Sequence, residues 1–174
     1  MEFDFLAPVD TEILDFISGL SSQQLGSKIV LHTEKQFPDV NKIKIALIGV
    51  LENRGSNISI SEVNLIAARK ELYGLYPGNW DASIADLGDI LAGNTVEDTY
   101  FALRKVASAL IKKKIIPIVI GGSQDLTYAL YRAYDDLEQM VNLVAIDSKF
   151  DFGKESEEVS ATSYLTKYRI SNVL

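Results

Sequence analysis

The sequence has no cysteine, a single histidine, a single tryptophan and four prolines. Without cysteine there is no disulfide, no thiolate metal site and no cysteine nucleophile, and a reducing compartment is favoured. No apolar stretch approaches the roughly 20 residues of a membrane span. The start, MEFDFLAPVDTEI, is acidic where a signal peptide would be basic and then continuously apolar. The expectation is a cytoplasmic protein. Basic residues are also scarce: 17 Lys and Arg stand against 24 Asp and Glu, a formal net charge of −7. That balance argues against a general binder of nucleic acid or anionic membrane, because phosphate contacts need clustered cations. The one basic run, Lys112-Lys113-Lys114, reads as the end of a helix, where cations suit the dipole. Neither GxGxxG nor GxxxxGK[ST] occurs, so no dinucleotide or P-loop site is expected.

What is present is an ordinary globular composition, with 47% hydrophobic and 24% charged residues over 174 positions. That is enough for one domain with a real core. Residues 10–20 carry Ile13, Leu14, Phe16, Ile17 and Leu20 at helical spacing, with Asp10 or Thr11 as the cap. Residues 21–40 read as a connecting arm that includes His32, to which a structural or surface role is assigned. The remainder, 41–174, reads as one α/β domain.

Ile43–Val50 (IKIALIGV) is apolar almost throughout, as strands buried on both faces of a parallel sheet are. A helix is expected over Ile60–Tyr73, and a strand over Ser83–Asp86 that ends at Leu87-Gly88-Asp89. Trp80, after a Pro-Gly turn, is read as packing over the sheet edge. Thr95 and Asp98 resemble a capping box for a helix whose apolar positions Val96, Tyr100, Leu103, Ala107 and Leu110 recur at three or four. Ile115–Ile120 is the next strand, with Pro117 near its start. A helix over Asp125–Asp135 and a fourth strand over Val141–Asp147 follow, then an acidic tail ending in a short helix. Strands alternating with helices imply right-handed crossovers and a three-layer α/β/α fold on a parallel sheet.

Ligands of such folds bind beyond the carboxyl ends of the strands. Two loops lie there, Gly121–Thr127 and Asp147–Gly153. Gly121-Gly122 before a helix permits either backbone approach to a phosphate or simply a tight turn. Asp147 and Asp151 are two carboxylates at a strand end, a common way to hold a metal, with Lys149 between them. Tyr128, Tyr131 and Tyr134 recur at three and are read as a half-buried stripe. Asp125 is read as an N-terminal helix charge.

GGSQD (121–125) and DSKFD (147–151), with the preceding IIPIVI and VNLVAI strands, the IALIGV first strand and the IADLGD segment, resemble the first half of the ureohydrolase superfamily. Its members are arginase, agmatinase and formiminoglutamase, which carry GGDHS and DAHxD at these places. The resemblance covers about residues 43–153 and is nearest the formiminoglutamase-like branch. It implies a two-manganese centre that activates water against a guanidinium or formimino carbon. Asp147 and Asp151 match two aspartate ligands. Gln124 and Lys149 stand where the histidine ligands belong, and Ser123 replaces an acidic residue; Gly121, Gly122, Ser123 and Asp125 would line the site. Glutamine oxygen is a weak ligand, and a protonated lysine has no lone pair at all. The expectation is therefore that Lys149 serves as a built-in cation between two carboxylates.

The superfamily sheet has the order 2-1-3-8-7-4-5-6, of which this chain would supply strands 1–4. Strands 3 and 4 would then be separated, paired directly, or bridged by a partner chain, and a fragment of a longer protein is the favoured reading. The function expected is that of a family protein with a degenerate manganese site, not competent as this chain and with no cofactor of its own. The alternative is a metal-dependent hydrolase of linear amidines or guanidines, with Mn²⁺, once a C-terminal half is present. A small-molecule binding module built on the glycine turn is a third. The partner expected is a small molecule with an amidine or guanidine group, and a homo-oligomer is compatible with the family.

Overall fold

A computed structural model of the chain describes residues 2–56, 63–79, 83–154 and 158–167. Its elements are β1 (Leu6–Ala7), α1 (Thr11–Ser18), β2 (Val30–Leu31), β3 (Ile45–Val50), α2 (Leu65–Gly74), β4 (Ile84–Ile90), α3 (Val96–Lys112), β5 (Ile116–Ile120) and α4 (Leu126–Asp135).

The central run of the sheet is β4-β3-β5, all parallel. It matches the 2-1-3 opening of the superfamily order. Two short strands from the N-terminal arm extend it past β4, β2 in parallel and β1 antiparallel. Each is only two residues long, too short to leave a periodic signal.

Alternation along β3 divides the core. Ala46, Ile48 and Val50 face α3 and α4, meeting Leu103, Val106, Leu110, Leu126 and Ala129. Leu47 faces the other way, onto Ile13, Leu25 and Tyr73 from the α1–α2 layer. Each fully buried Leu, Ile or Val contributes about 1.5–3 kcal/mol. Both faces of β3 are thus covered, as its unbroken apolar run requires.

The helix ends follow local chemistry. Thr95 Oγ1 accepts from the Asp98 amide (3.2 Å), and the Asp98 carboxylate accepts from the Thr95 amide (2.9 Å), the reciprocal capping box expected. Asp10 caps α1 through the amide of Glu12 (2.8 Å). His32 is a structural residue: its Nδ1 lies 2.9 Å from the Leu87 carbonyl, and its ring packs edge-on against Phe37.

Three expectations need correction or restriction. Residues 141–147 form no strand; they are exposed throughout and pair with nothing in the sheet among the described residues. Apolar, β-branched composition favours a strand only where an edge is within reach, and residues 141–147 do not pair with β5 here. β4 runs on to Ile90 rather than stopping at Asp86. The helix expected from Ile60 begins at Leu65; Ile60 itself, Trp80 and most of the tail helix lie outside the described residues.

Candidate functional site at the carboxyl ends of the strands

Beyond β5 the chain turns through Gly121 and Gly122, both at positive φ (+85° and +77°). A Cβ at Gly122 would stand 2.0 Å from the Leu126 side chain and 2.9 Å from the Glu52 carbonyl, so the turn is wedged between α4 and the loop after β3. The Ser123 amide donates to the Glu52 carbonyl (2.9 Å), and the amides of Leu126 and Thr127 donate to Ser123 and Gln124 carbonyls (3.1 and 3.0 Å). These bonds close the glycine pair as a tight turn between β5 and α4.

The turn brings Gln124 to the acidic loop. Its side chain and that of Asp151 lie beside Asp147 and hold the Asp147 carboxyl below the usual range. Asp151 moves the other way: burial, then the neighbouring Asp147 carboxylate, push it up. Asp147 is exposed while Asp151 is 4% exposed, covered by the turn at 160–166, where the Leu165 amide donates to the Asp151 carbonyl (3.2 Å). Tyr164 is buried against this pair, and burial and the two carboxylates raise its hydroxyl pKa. The structure therefore joins Gln124, Asp147 and Asp151, and adds Tyr164, which sits in the polar tail and carries no sequence signal.

The Lys149 backbone amide donates to Asp147 (3.2 Å), and its charge lowers Asp151 against the larger effects that raise it. Asp125 is fully buried as the N-cap of α4, but its carboxylate accepts from the Tyr100 hydroxyl instead of capping. Gly55 packs directly on it, where a Cβ would be 2.3 Å from Oδ2. The buried atoms left without a hydrogen bond include Ser123 Oγ, Asp125 Oδ1 and Asp151 Oδ2.

Sequence reasoning passed over Glu52, the charge that ends the β3 run. Its side chain is sealed, accepting from Arg54 Nε and Nη2 (2.9 and 2.6 Å) and from Thr99 Oγ1 (2.8 Å). Arg54 also reaches the carbonyls of Gly93, Asn94 and Thr95 (2.9, 3.0 and 3.2 Å). This clamp ties the loops after β3 and β4 together under the site.

A manganese pair needs several oxygen and nitrogen ligands in convergence. Among the described residues no group of three or more His, Asp and Glu side chains converges. Lys149, at the second histidine position, offers no lone pair while charged. The described residues by themselves do not supply the donor set of a two-metal centre.

The arginase family model matches residues 54–169. A formimidoylglutamase of Halobacterium salinarum is 31% identical over 91 residues, 49% of this chain and 30% of that protein. Trypanosoma cruzi formiminoglutamase, solved with Mn²⁺, superposes with a TM-score of 0.66 at 21% identity, covering 82% of this chain and 50% of that one. Formimidoylglutamase of Bacillus subtilis gives 0.62 at 20%, covering 75% and 45%. The chain thus spans about half the length of these solved relatives and less of the Halobacterium protein. A family match over most of the chain, on a sheet that opens in the family's own strand order, places it: this chain belongs to the arginase family.

Proposed function

We propose that this chain is an arginase-family protein with a degenerate manganese site, serving as a non-catalytic scaffold or binding protein. One observation supports the reading: Gln124, Asp147 and Asp151 stand together where the family resemblance expects metal ligands, and no group of three or more His, Asp and Glu side chains converges among the described residues. Lys149 in the second histidine position adds a cation where a lone pair is needed. The test is manganese content by elemental analysis after Mn²⁺ loading and desalting. No retained manganese is expected; one or two equivalents, lost on Asp147→Ala or Asp151→Ala, would sink the reading. In the double variant Gln124→His/Lys149→His, regained manganese binding would show that the site's geometry survives.

A second reading rests on a separate observation. Asp151 Oδ2 and Ser123 Oγ are buried without partners, and a buried carboxylate oxygen left so is costly. In a polypeptide of the relatives' full length, those atoms would take part in a metal-dependent hydrolysis of a linear amidine or guanidine. Turnover of formiminoglutamate, agmatine or arginine by such a polypeptide, abolished by Asp151→Asn, decides for it. Under either reading the small-molecule partner carries an amidine or guanidine group, and the protein works in the cytoplasm.

A further inference from the structure

Between residues 99 and 114 the chain carries five cations (Arg104, Lys105, Lys112, Lys113 and Lys114) and no acid, in a protein of net charge −7. The helix dipole accounts for the lysines at the end of α3, but not for Arg104 and Lys105 in its middle. A spacing of four sets the helix residues in two neighbouring rows, Phe101-Lys105-Ala109 and Arg104-Ser108-Lys112. Ala109 and Ser108 are short and buried, so the long side chains around them stand over a hollow.

That hollow is a cavity of about 590 Å³, within the span of small-molecule sites. Phe5 and Phe101 line it edge to face, with ring centroids 6.0 Å apart, and are 40% and 51% exposed. Glu2 from the arm and Asp136 and Leu137 after α4 complete the lining. None of this depends on strands beyond β5. Phe5 leads into β1, which pairs with β4 on the far side of the sheet from β5. The cavity is also remote from the candidate site, because α4 carries Asp136 about 15 Å away from the glycine turn.

Its charges do not cancel. Arg104 is committed to Asp136 in a two-pronged pair, and those two neutralise each other. Lys105 Nζ lies 5.4 Å from the centre of the Phe101 ring, a cation–π contact. Neither Lys105 nor Lys112 makes an ion pair among the described residues. Against these two cations stands Glu2 alone. The balance is positive, and it lies beside an aromatic pair that water only half covers.

We propose that this cavity binds a small organic anion bearing an aromatic ring. Its phosphate, sulfonate or carboxylate is met by Lys105 and Lys112, and its ring lies against Phe101 and Phe5. Lysines alone would attract any anion, and exposed rings alone any apolar group. The two together, over a floor of Ser108 and Ala109, select a molecule that has both parts.

The experiment treats the native protein with pyridoxal 5′-phosphate, an aromatic phosphate. Its aldehyde condenses with a lysine amine, losing water, and borohydride then reduces the imine to a fixed mark. Peptide mass mapping should find Lys105 and Lys112 marked ahead of Lys113 and Lys114, which share the helix end but do not line the cavity. Phenyl phosphate should protect both at a concentration at least tenfold below that needed of inorganic phosphate. Phe101→Ser changes a half-exposed side chain, so it should erase that advantage with circular dichroism unchanged and inorganic phosphate as effective as before. Marks spread over the lysines in proportion to their exposure overturn the proposal. Equal protection by the two phosphates overturns it too, leaving a basic patch without an aromatic site. So does an advantage of phenyl phosphate that survives Phe101→Ser.

Discussion

Arg69 on α2 and Asp86 on β4 meet in a two-pronged ion pair, Nε to Oδ2 at 2.6 Å and Nη2 to Oδ1 at 3.0 Å, with both side chains sealed from solvent. Arg69 also reaches Asp89 (2.7 Å), and the Tyr73 hydroxyl donates to Asp86. Burial works against the Arg69 charge, but the two aspartates outweigh it and raise its pKa; burial and the Asp86 charge raise that of Tyr73.

Removing one partner leaves the other buried and charged. Asp86→Ala should cost about 3–5 kcal/mol in urea unfolding. Arg69→Met/Asp86→Leu should cost less than the two single losses added, because the orphaned charge is gone. Strict additivity would show that the pair does not act as a unit.

Glu52 makes stability depend on acid. Burial pushes its carboxyl up, but hydrogen bonds from Arg54 and Thr99 prevail and leave it below its ordinary value. A carboxyl lower in the folded than in the unfolded state adds stability that is complete above the unfolded range, near pH 4.5, and fades as pH falls through the folded value. Urea melts from about pH 3 to 7 should therefore show a steeper acid loss in the native protein than in Glu52→Gln. Equal slopes would remove Glu52 from the acid response.

Tyr100 and Gly55 enclose the Asp125 carboxylate. Tyr100→Phe should cost about 1–3 kcal/mol, the penalty for a buried acceptor left without its donor. Gly55→Ala drives a methyl into the same carboxylate and should also destabilise, by about 1–3 kcal/mol. Thermal melts of both variants test the enclosure; a neutral Gly55→Ala would mean that the loop after β3 yields.

The capping box is the simplest case. Thr95→Ala should lower stability by about 1 kcal/mol, and Thr95→Ser should recover most of it, since either hydroxyl can accept from the Asp98 amide. Equal melts for alanine and serine would dismiss the cap.

What was legible in the sequence followed its local physics. Ile45–Val50 and Ile116–Ile120 read as strands because both are nearly unbroken apolar runs, and α3 read as a helix because its spacing and its cap agreed. β1 and β2 were missed because pairing with β4, not composition, makes two residues a strand. VNLVAI misled for the same reason in reverse: its composition suits a strand, but among the described residues it pairs with none. At the site, Gln124, Asp147 and Asp151 were named from motif order alone, while Tyr164 and Glu52 owe their places to contacts between distant segments. Asp86 within IADLGD was the visible trace of the buried ion pair, since a carboxylate in a sealed strand requires a cation nearby.

The position of β3 also bears on synthesis. Ile45 pairs with Ile84 and with Ile116, 39 and 71 residues further along. The central strand is therefore made early and completed late. At about 5–20 residues per second, it waits several seconds on the ribosome for both neighbours to emerge. Until β4 emerges this apolar strand has neither neighbour, and until β5 emerges one of its edges stays unpaired. Chaperone dependence of this chain should accordingly concentrate in nascent lengths between β3 and β5, and ease once Ile120 has left the exit tunnel.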